Sequence, residues 1–272
     1  MTGLRLWFYA VWAIAGIGIS PSSAQEPPFK LEWAQESSFL MTGVAGGLLG
    51  QHRLTSMKPV DPAELNSDEL KPWDRFAAGW YNPKADKLSD IFGFGIGGSL
   101  IYVEAWATFS SGSAWIPLAE DALLLTEAIA WSAALNLNAR AFRIHPRPLV
   151  YGSDAPASVR QAPEAAGSFY SGHASGAFLG AAFLSTVYPS RYPEFRYSGW
   201  LWAGSLTVAS SVAAMRVLAG RHFPSDIMVG AGVGTLIGWG IPTLHRTSRP
   251  KVGLPSLQLW PQADGFAVQI IY

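Results

Sequence analysis

The chain has no cysteine, so it can use neither a disulfide framework nor a thiolate as nucleophile or metal ligand. That absence fits an oxidising compartment. Charge is also scarce: 19 Lys plus Arg and 19 Asp plus Glu make up 14% of 272 residues and cancel one another. A chain with no net charge lacks the basic footprint that nucleic acid demands, which excludes that class of partner. No H-x-x-x-H pattern and no carboxylate cluster with metal-ligand spacing occurs, so the sequence implies no metal and no cofactor. What the chain has in plenty is apolar surface. Hydrophobic residues are 49% and there are 12 Trp, a side chain suited to membrane–water interfaces.

The apolar residues are grouped. Arg5 precedes an uncharged run from Leu6 to Ile19, and small residues follow at Ser22, Ser23 and Ala24, the pattern of a secretory signal; an uncleaved anchor is the alternative. Residues 25–37 read as an extended lead, Phe39–Leu49 as a short glycine-rich apolar segment, and 51–73 as loop with a short helix. Five apolar helices are predicted at about Ile91–Ser110, Ala122–Ala141, Ala174–Val187, Ser198–Leu218 and Asp226–Leu244. Glu104 and Glu127 interrupt two of them, and a buried carboxylate needs a partner, so an ion pair is expected. At the C-terminus Leu254–Trp260 and Gly265–Tyr272 alternate about a Pro-Gln-Ala-Asp-Gly turn, a β-hairpin pattern.

Three polar segments sit at the predicted helix ends. Arg140-x6-Arg147-Pro148 carries three arginines in eight positions, counting Arg143, and closes the second helix. Tyr170-Ser171-Gly172-His173 opens the third, where free N–H groups and the positive end of the dipole favour anions. Arg216-x5-His222-x3-Asp226 joins the fourth and fifth. It sets a planar anion clamp, an imidazole and an acidic orienter within one short stretch. If successive helices alternate in direction, all three segments meet at one end of a bundle.

Read together, the three segments resemble the type 2 phosphatidic acid phosphatase (PAP2) family, which shares its core with the vanadium haloperoxidases. The family pattern is Lys-x6-Arg-Pro, Pro-Ser-Gly-His and Ser-Arg-x5-His-x3-Asp; here Arg140, Tyr170 and Met215 stand where it has Lys, Pro and Ser. The resemblance spans roughly residues 90–245. It implies an all-α bundle of five to six core helices and a metal-independent phosphatase. Position by position, it makes His222 the nucleophile that forms a phosphohistidine, Asp226 its orienter and His173 the general acid and then base. Arg140, Arg147 and Arg216 become the phosphate clamp, completed by Ser171 and the Gly172 N–H. His145 is read as a rim residue, and Arg143 and Arg221 as outer anion ligands or solvated charges.

The expected organisation is a signal or anchor at 1–24, an extracytoplasmic lead at 25–89, the phosphatase domain at 90–245 and a tail with the hairpin at 246–272. Uncharged runs at Ala174–Ser190, Ser198–Met215 and Ile227–Leu244 reach 17 to 18 residues, the lower margin for a bilayer span. With the chain entering from outside and five spans, the site faces the periplasm. Arg191, Arg196, His245, Arg246, Arg249 and Lys251 then lie in the cytoplasm, as the positive-inside tendency prefers. The favoured reading is therefore an inner-membrane enzyme acting on a phosphorylated lipid. The competing readings are a soluble periplasmic acid phosphatase of broad specificity, a vanadate-dependent haloperoxidase, and a catalytically silent membrane protein.

Overall fold

The structure, a computed structural model, describes residues 27–93, 116–142 and 145–247, together with the backbone of two strands near the C-terminus. The expected signal, Glu104, Arg143 and most of the helix expected at Ile91–Ser110 lie outside the described residues.

Among the described residues, six helical segments build an all-α bundle. We label them α1 (Trp33–Thr55), α2 (residues 83–93), α3 (Ile116–Ala141), α4 (Gly172–Arg191), α5 (Ser198–Leu218) and α6 (Pro224–Leu244). The strands β1 (Ser256–Gln262) and β2 (Gly265–Ile271) pair antiparallel, with Trp260 opposite Ala267. Helix α4 is the centre, packed against α6, α5 and α3, while α1 lies along α3. Its small residues allow this. Gly230, Gly234 and Gly238 repeat every fourth position along α6, and a Cβ on any of them would run into the backbone carbonyl of Ser171, Ser175 or Leu179 on α4. Two helix backbones can approach this closely only across such a stripe. The core then fills in around Leu124, Leu125 and Ala128 of α3, Leu179, Phe183 and Val187 of α4, and Ile241 of α6.

Two elements differ from the sequence reading. The end of the expected extended lead, from Trp33, and the short apolar segment belong to one continuous 23-residue helix, α1. Four glycines lower its intrinsic helix propensity, but Gly43, Gly46 and Gly50 face Ala130, Ala134 and Asn138 of α3, so close packing offsets that cost. And α4, expected as a span, is enclosed by its neighbours along most of its length. Among the described residues, two helices are long and apolar enough to cross a membrane, α5 and α6. Their outer faces carry Trp200, Met228, Leu236 and Leu244, each at least 65% exposed.

The two ends of the bundle differ. At one, Arg191 holds Glu120 and Asp121 at 2.7 Å and lies over the Phe29 ring. Phe29 also bridges to Arg246, and the Lys30 N–H donates to the His245 carbonyl at 2.8 Å. The chain therefore enters beside the end of α6. Helix α1 runs from there to the opposite end, where Arg53 donates to Asn138 at 3.0 Å.

Candidate active site

That opposite end collects the last turn of α3, the first turn of α4, the last turn of α5 and the first turn of α6. A cavity of about 380 Å³ opens there, lined by Arg140, Arg147, Gly172, His173, Arg216 and His222 among others. Three segments that are far apart in the chain thus share one pocket. Gly220, at φ 70°, makes the turn between α5 and α6; its lack of a side chain admits the Trp80 carbonyl. Asp74 accepts from both the Ser225 N–H (2.9 Å) and the Ser225 hydroxyl (2.7 Å), fixing the first turn of α6.

His222 is 2% exposed. Its Nδ1 lies 2.9 Å from the Ser168 carbonyl, which can only accept, so Nδ1 carries the proton and Nε2 keeps a free lone pair. Asp226 does not bond to His222 directly: the closest approach is 3.8 Å, a charge contact beyond hydrogen-bond range. Its Oδ2 instead accepts the Ser168 hydroxyl at 2.6 Å and the Phe223 N–H at 2.9 Å. Ser168 thus binds His222 through its carbonyl and Asp226 through its hydroxyl. His145, read from sequence as a rim residue, sits 3.4 Å from Asp226 Oδ1 and edge-on to Phe223. Burial holds the His222 pKa down at about 3, against the smaller upward pull of Asp226, so the imidazole is neutral across the physiological range.

Four guanidiniums face the cavity or its rim: Arg140, Arg147, Arg216 and Arg221. Arg147 is 7% exposed and its Nε has no partner among the described residues. Burial, then the charges of Arg140, Arg221 and Arg216, press its pKa well down. A buried cation among cations is a demand for an anion. Two carboxylates from α2 meet part of that demand. Asp86 takes Arg216 Nη1 at 2.7 Å and Arg221 Nη2 at 2.6 Å, and Asp90 stands 3.3 Å from Arg216 and 2.9 Å from His173 Nε2. Burial raises the Asp86 pKa, but the hydrogen bond and charge of Arg221 and the charge of Arg216 outweigh it and leave the net shift downward. Ser171 is the N-cap of α4, accepting from the Ala174 N–H at 3.3 Å, so its buried hydroxyl serves the helix. Gly172 lines the cavity, where a Cβ would stand 2.8 Å from Asn136 Oδ1.

The comparisons with known proteins bear on the same segments. Residues 121–250 match the sequence profile of the PAP2 superfamily. Over this stretch the chain is similar to the PAP2 superfamily. Among solved structures it is similar to a transmembrane PAP2-type phosphatidylglycerolphosphate phosphatase from Bacillus subtilis, at 18% identity and a TM-score of 0.39, covering 88% of this chain and 92% of that one. No curated protein matches.

Against the PAP2 motifs, Arg140 donates from Nε to the Gly167 carbonyl at 3.2 Å, Tyr170 is buried, and Met215 is half-buried on α5. Several residues of the site escaped the sequence reading. Asp86 and Asp90 are spaced to share one face of a helix, a signal hidden in a polar stretch. Asn136, one turn before Arg140, donates to the Tyr170 carbonyl at 2.7 Å and so ties α3 to the second motif. Ser168 stands three residues before that motif's Ser171 and carries no chemical signature of its own.

Proposed function

We propose that the chain is a lipid phosphatase that works through a phosphohistidine on His222, with guanidiniums supplying the cationic charge that the reaction needs. The observation that carries this reading is the pinned tautomer of His222: Nδ1–H is held by Ser168, and the residue lines the cavity shared by Arg140, Arg147 and Arg216. In the first step Nε2 of His222 attacks phosphorus while the bond to the leaving oxygen breaks, and His173 gives that oxygen a proton. In the second, His173 takes a proton from water, the water oxygen attacks phosphorus, and the P–N bond breaks to release phosphate. The arginines compensate the charge spread over the equatorial oxygens in both steps. Phosphate takes over the Arg216 contacts that Asp86 and Asp90 make, and Asp90 keeps His173 oriented.

The lipid part of the proposal is supported by a second cavity, also about 380 Å³, that shares Gly93, Asn136, Gly172 and Gly176 with the first. It continues between α3 and α4 past Leu125, Ile129, Leu137 and Leu179. An apolar groove leaving an anion pocket suits a phosphate head joined to a hydrocarbon tail. Ile129 lines only the groove and is 53% exposed, so Ile129→Asp is expected to fold, which an unchanged rate on the soluble substrate checks. Phosphate release is measured on a lipid phosphate in micelles and on a soluble aryl phosphate. The expected result is a selective loss of roughly tenfold or more on the lipid. Equal rates on both substrates, untouched by Ile129→Asp, would favour the broad-specificity acid phosphatase.

The same reading takes α5 and α6 as membrane helices and keeps the site toward the periplasm. Helix α1 then imposes a condition. It is about 34 Å long, a bilayer's thickness, and joins the Phe29 end to the site end. For a bundle that crosses fully, a periplasmic site puts Phe29 with Arg191 and Arg246 in the cytoplasm. Cleavage and export at residue 24 would reverse this, so the orientation proposed here requires that residue 25 is not exported. The chain has no cysteine, so Lys30→Cys in intact cells decides: protection from an impermeant maleimide supports this orientation, and labelling overturns it.

A further inference from the structure

We infer that Glu36, Glu127 and His245 form a site for one divalent transition-metal ion, separate from the phosphate pocket. Sequence reading expected Glu127 to find an ion-pair partner. It has none: the residue is fully buried, and neither carboxylate oxygen has a hydrogen-bond partner among the described residues. Its neighbours are Glu36, from the first turn of α1, and His245, just past α6; one ligand atom from each lies within 4.8 Å of the others. No local spacing announces the cluster, because the fold draws it from three distant segments.

The partners of these residues orient them as ligands. His245 Nδ1 is 2.7 Å from the Ile241 carbonyl, so Nδ1 holds the proton there. Nε2 points to Glu36 Oε2 at 2.9 Å. A neutral imidazole would then set a bare lone pair against a carboxylate oxygen, which is stable only with a cation between them. A proton between His245 and Glu36 could serve, but it would leave both oxygens of the buried Glu127 without a hydrogen-bond partner among the described residues. A dication satisfies all three groups. The other oxygen of Glu36 accepts the Glu32 N–H at 3.1 Å, completing an outer shell of the kind that fixes metal ligands. Two carboxylates and one imidazole form a nitrogen–oxygen set suited to zinc-like ions, with a fourth position left for water. Ligand atoms set tetrahedrally at about 2.1 Å from one ion are about 3.4 Å apart, so binding closes the widest spacing, which is within 4.8 Å, by up to about 1.4 Å.

Glu127 precedes Arg140 by thirteen residues on α3, about 20 Å along the helix. The ion is therefore a staple that joins the start of α1, the middle of α3 and the end of α6, and it takes no part in phosphate transfer. Full-length protein in detergent, stripped with chelator, is titrated with Zn²⁺, and the retained metal is measured by mass spectrometry after desalting. The expected result is one equivalent, retained equally by His222→Ala, with affinity lowered at least about tenfold in Glu127→Gln. Zn²⁺ should raise the melting temperature of the wild type and not of Glu127→Gln, whose metal-free phosphatase rate reports that it is folded. Should that variant fail to fold, His245→Gln carries the same expectation. Absence of stoichiometric metal in the wild type, or undiminished binding in the variants, overturns the inference. So does a Glu127→Gln protein that is more stable than the wild type in the presence of Zn²⁺, which would mark a shared proton instead.

Discussion

Ser168→Ala is the substitution that best separates the proposed site from a generic cluster of charges. The hydroxyl spans 2.6 Å to a fully buried Asp226 carboxylate, and the carbonyl of the same residue spans 2.9 Å to His222 Nδ1. The variant keeps the carbonyl and removes only the hydroxyl. A hydrogen bond to a buried charge is worth about 1.5–3 kcal/mol. With Oδ1 already lacking a hydrogen bond among the described residues, Asp226 would retain the Phe223 N–H as its hydrogen-bond donor. If the loss appears in the transition state, where an imidazolium-like His222 relies on Asp226, kcat falls by roughly tenfold to a hundredfold, since each tenfold costs about 1.4 kcal/mol. The arginines are untouched, so KM stays within about twofold, as for an interaction made only in the transition state. Initial rates of phosphate release from a lipid phosphate in micelles measure both constants. An unchanged kcat would refute the role given to Ser168. A rise in KM at constant kcat would mean that the hydroxyl binds substrate and does not position His222.

Two further perturbations follow from the geometry. The His222 pKa is held at about 3, against an ordinary 6.5, so below pH 6.5 the unfolded chain binds a proton that the folded one refuses. The stability tied to His222 is therefore complete above about pH 6.5 and declines toward pH 3, by up to roughly 5 kcal/mol; denaturation curves at stepped pH should show a shallower acid decline in His222→Gln. In α6, Gly234→Ala drives a Cβ into the Ser175 carbonyl, while Gly232→Ala meets nothing within 4 Å. The first should lose at least about 1–3 kcal/mol and the second should be neutral or slightly stabilising, as read from thermal melts of the two proteins side by side.

How legible the molecule was in its sequence depends on whether the signal was local. The three motifs lie at helix ends, and alternation of helix direction was enough to bring Arg140, His173, Arg216 and His222 to one pocket. The segment Ser198–Leu218 was readable to the residue, because an uninterrupted apolar run between turn residues has one reading. What escaped was set by tertiary contact. The glycines of α1 argue against a helix until α3 is there to pack on them. The run that becomes α4 has the composition of a membrane span, and only its neighbours make it a core helix. Asp86 and Asp90 lie in a polar stretch like many solvated ones, and their meaning comes from Arg216, Arg221 and His173. Asp226 was read as the orienter of His222, and the hydrogen bonds that link the two run through Ser168, a relation that spacing alone cannot encode.

The central claim is that His222 carries the phosphoryl group. Rapid quenching of the enzyme with a substrate labelled on phosphorus tests it most directly. The account predicts label on the protein that is lost in acid, survives alkali, maps to His222 and is absent from His222→Ala. With an aryl phosphate, whose leaving group departs without a proton, only the second step is slowed in a His173→Ala background; turnover there with no trapped phosphoenzyme, or label that persists in His222→Ala, would contradict it.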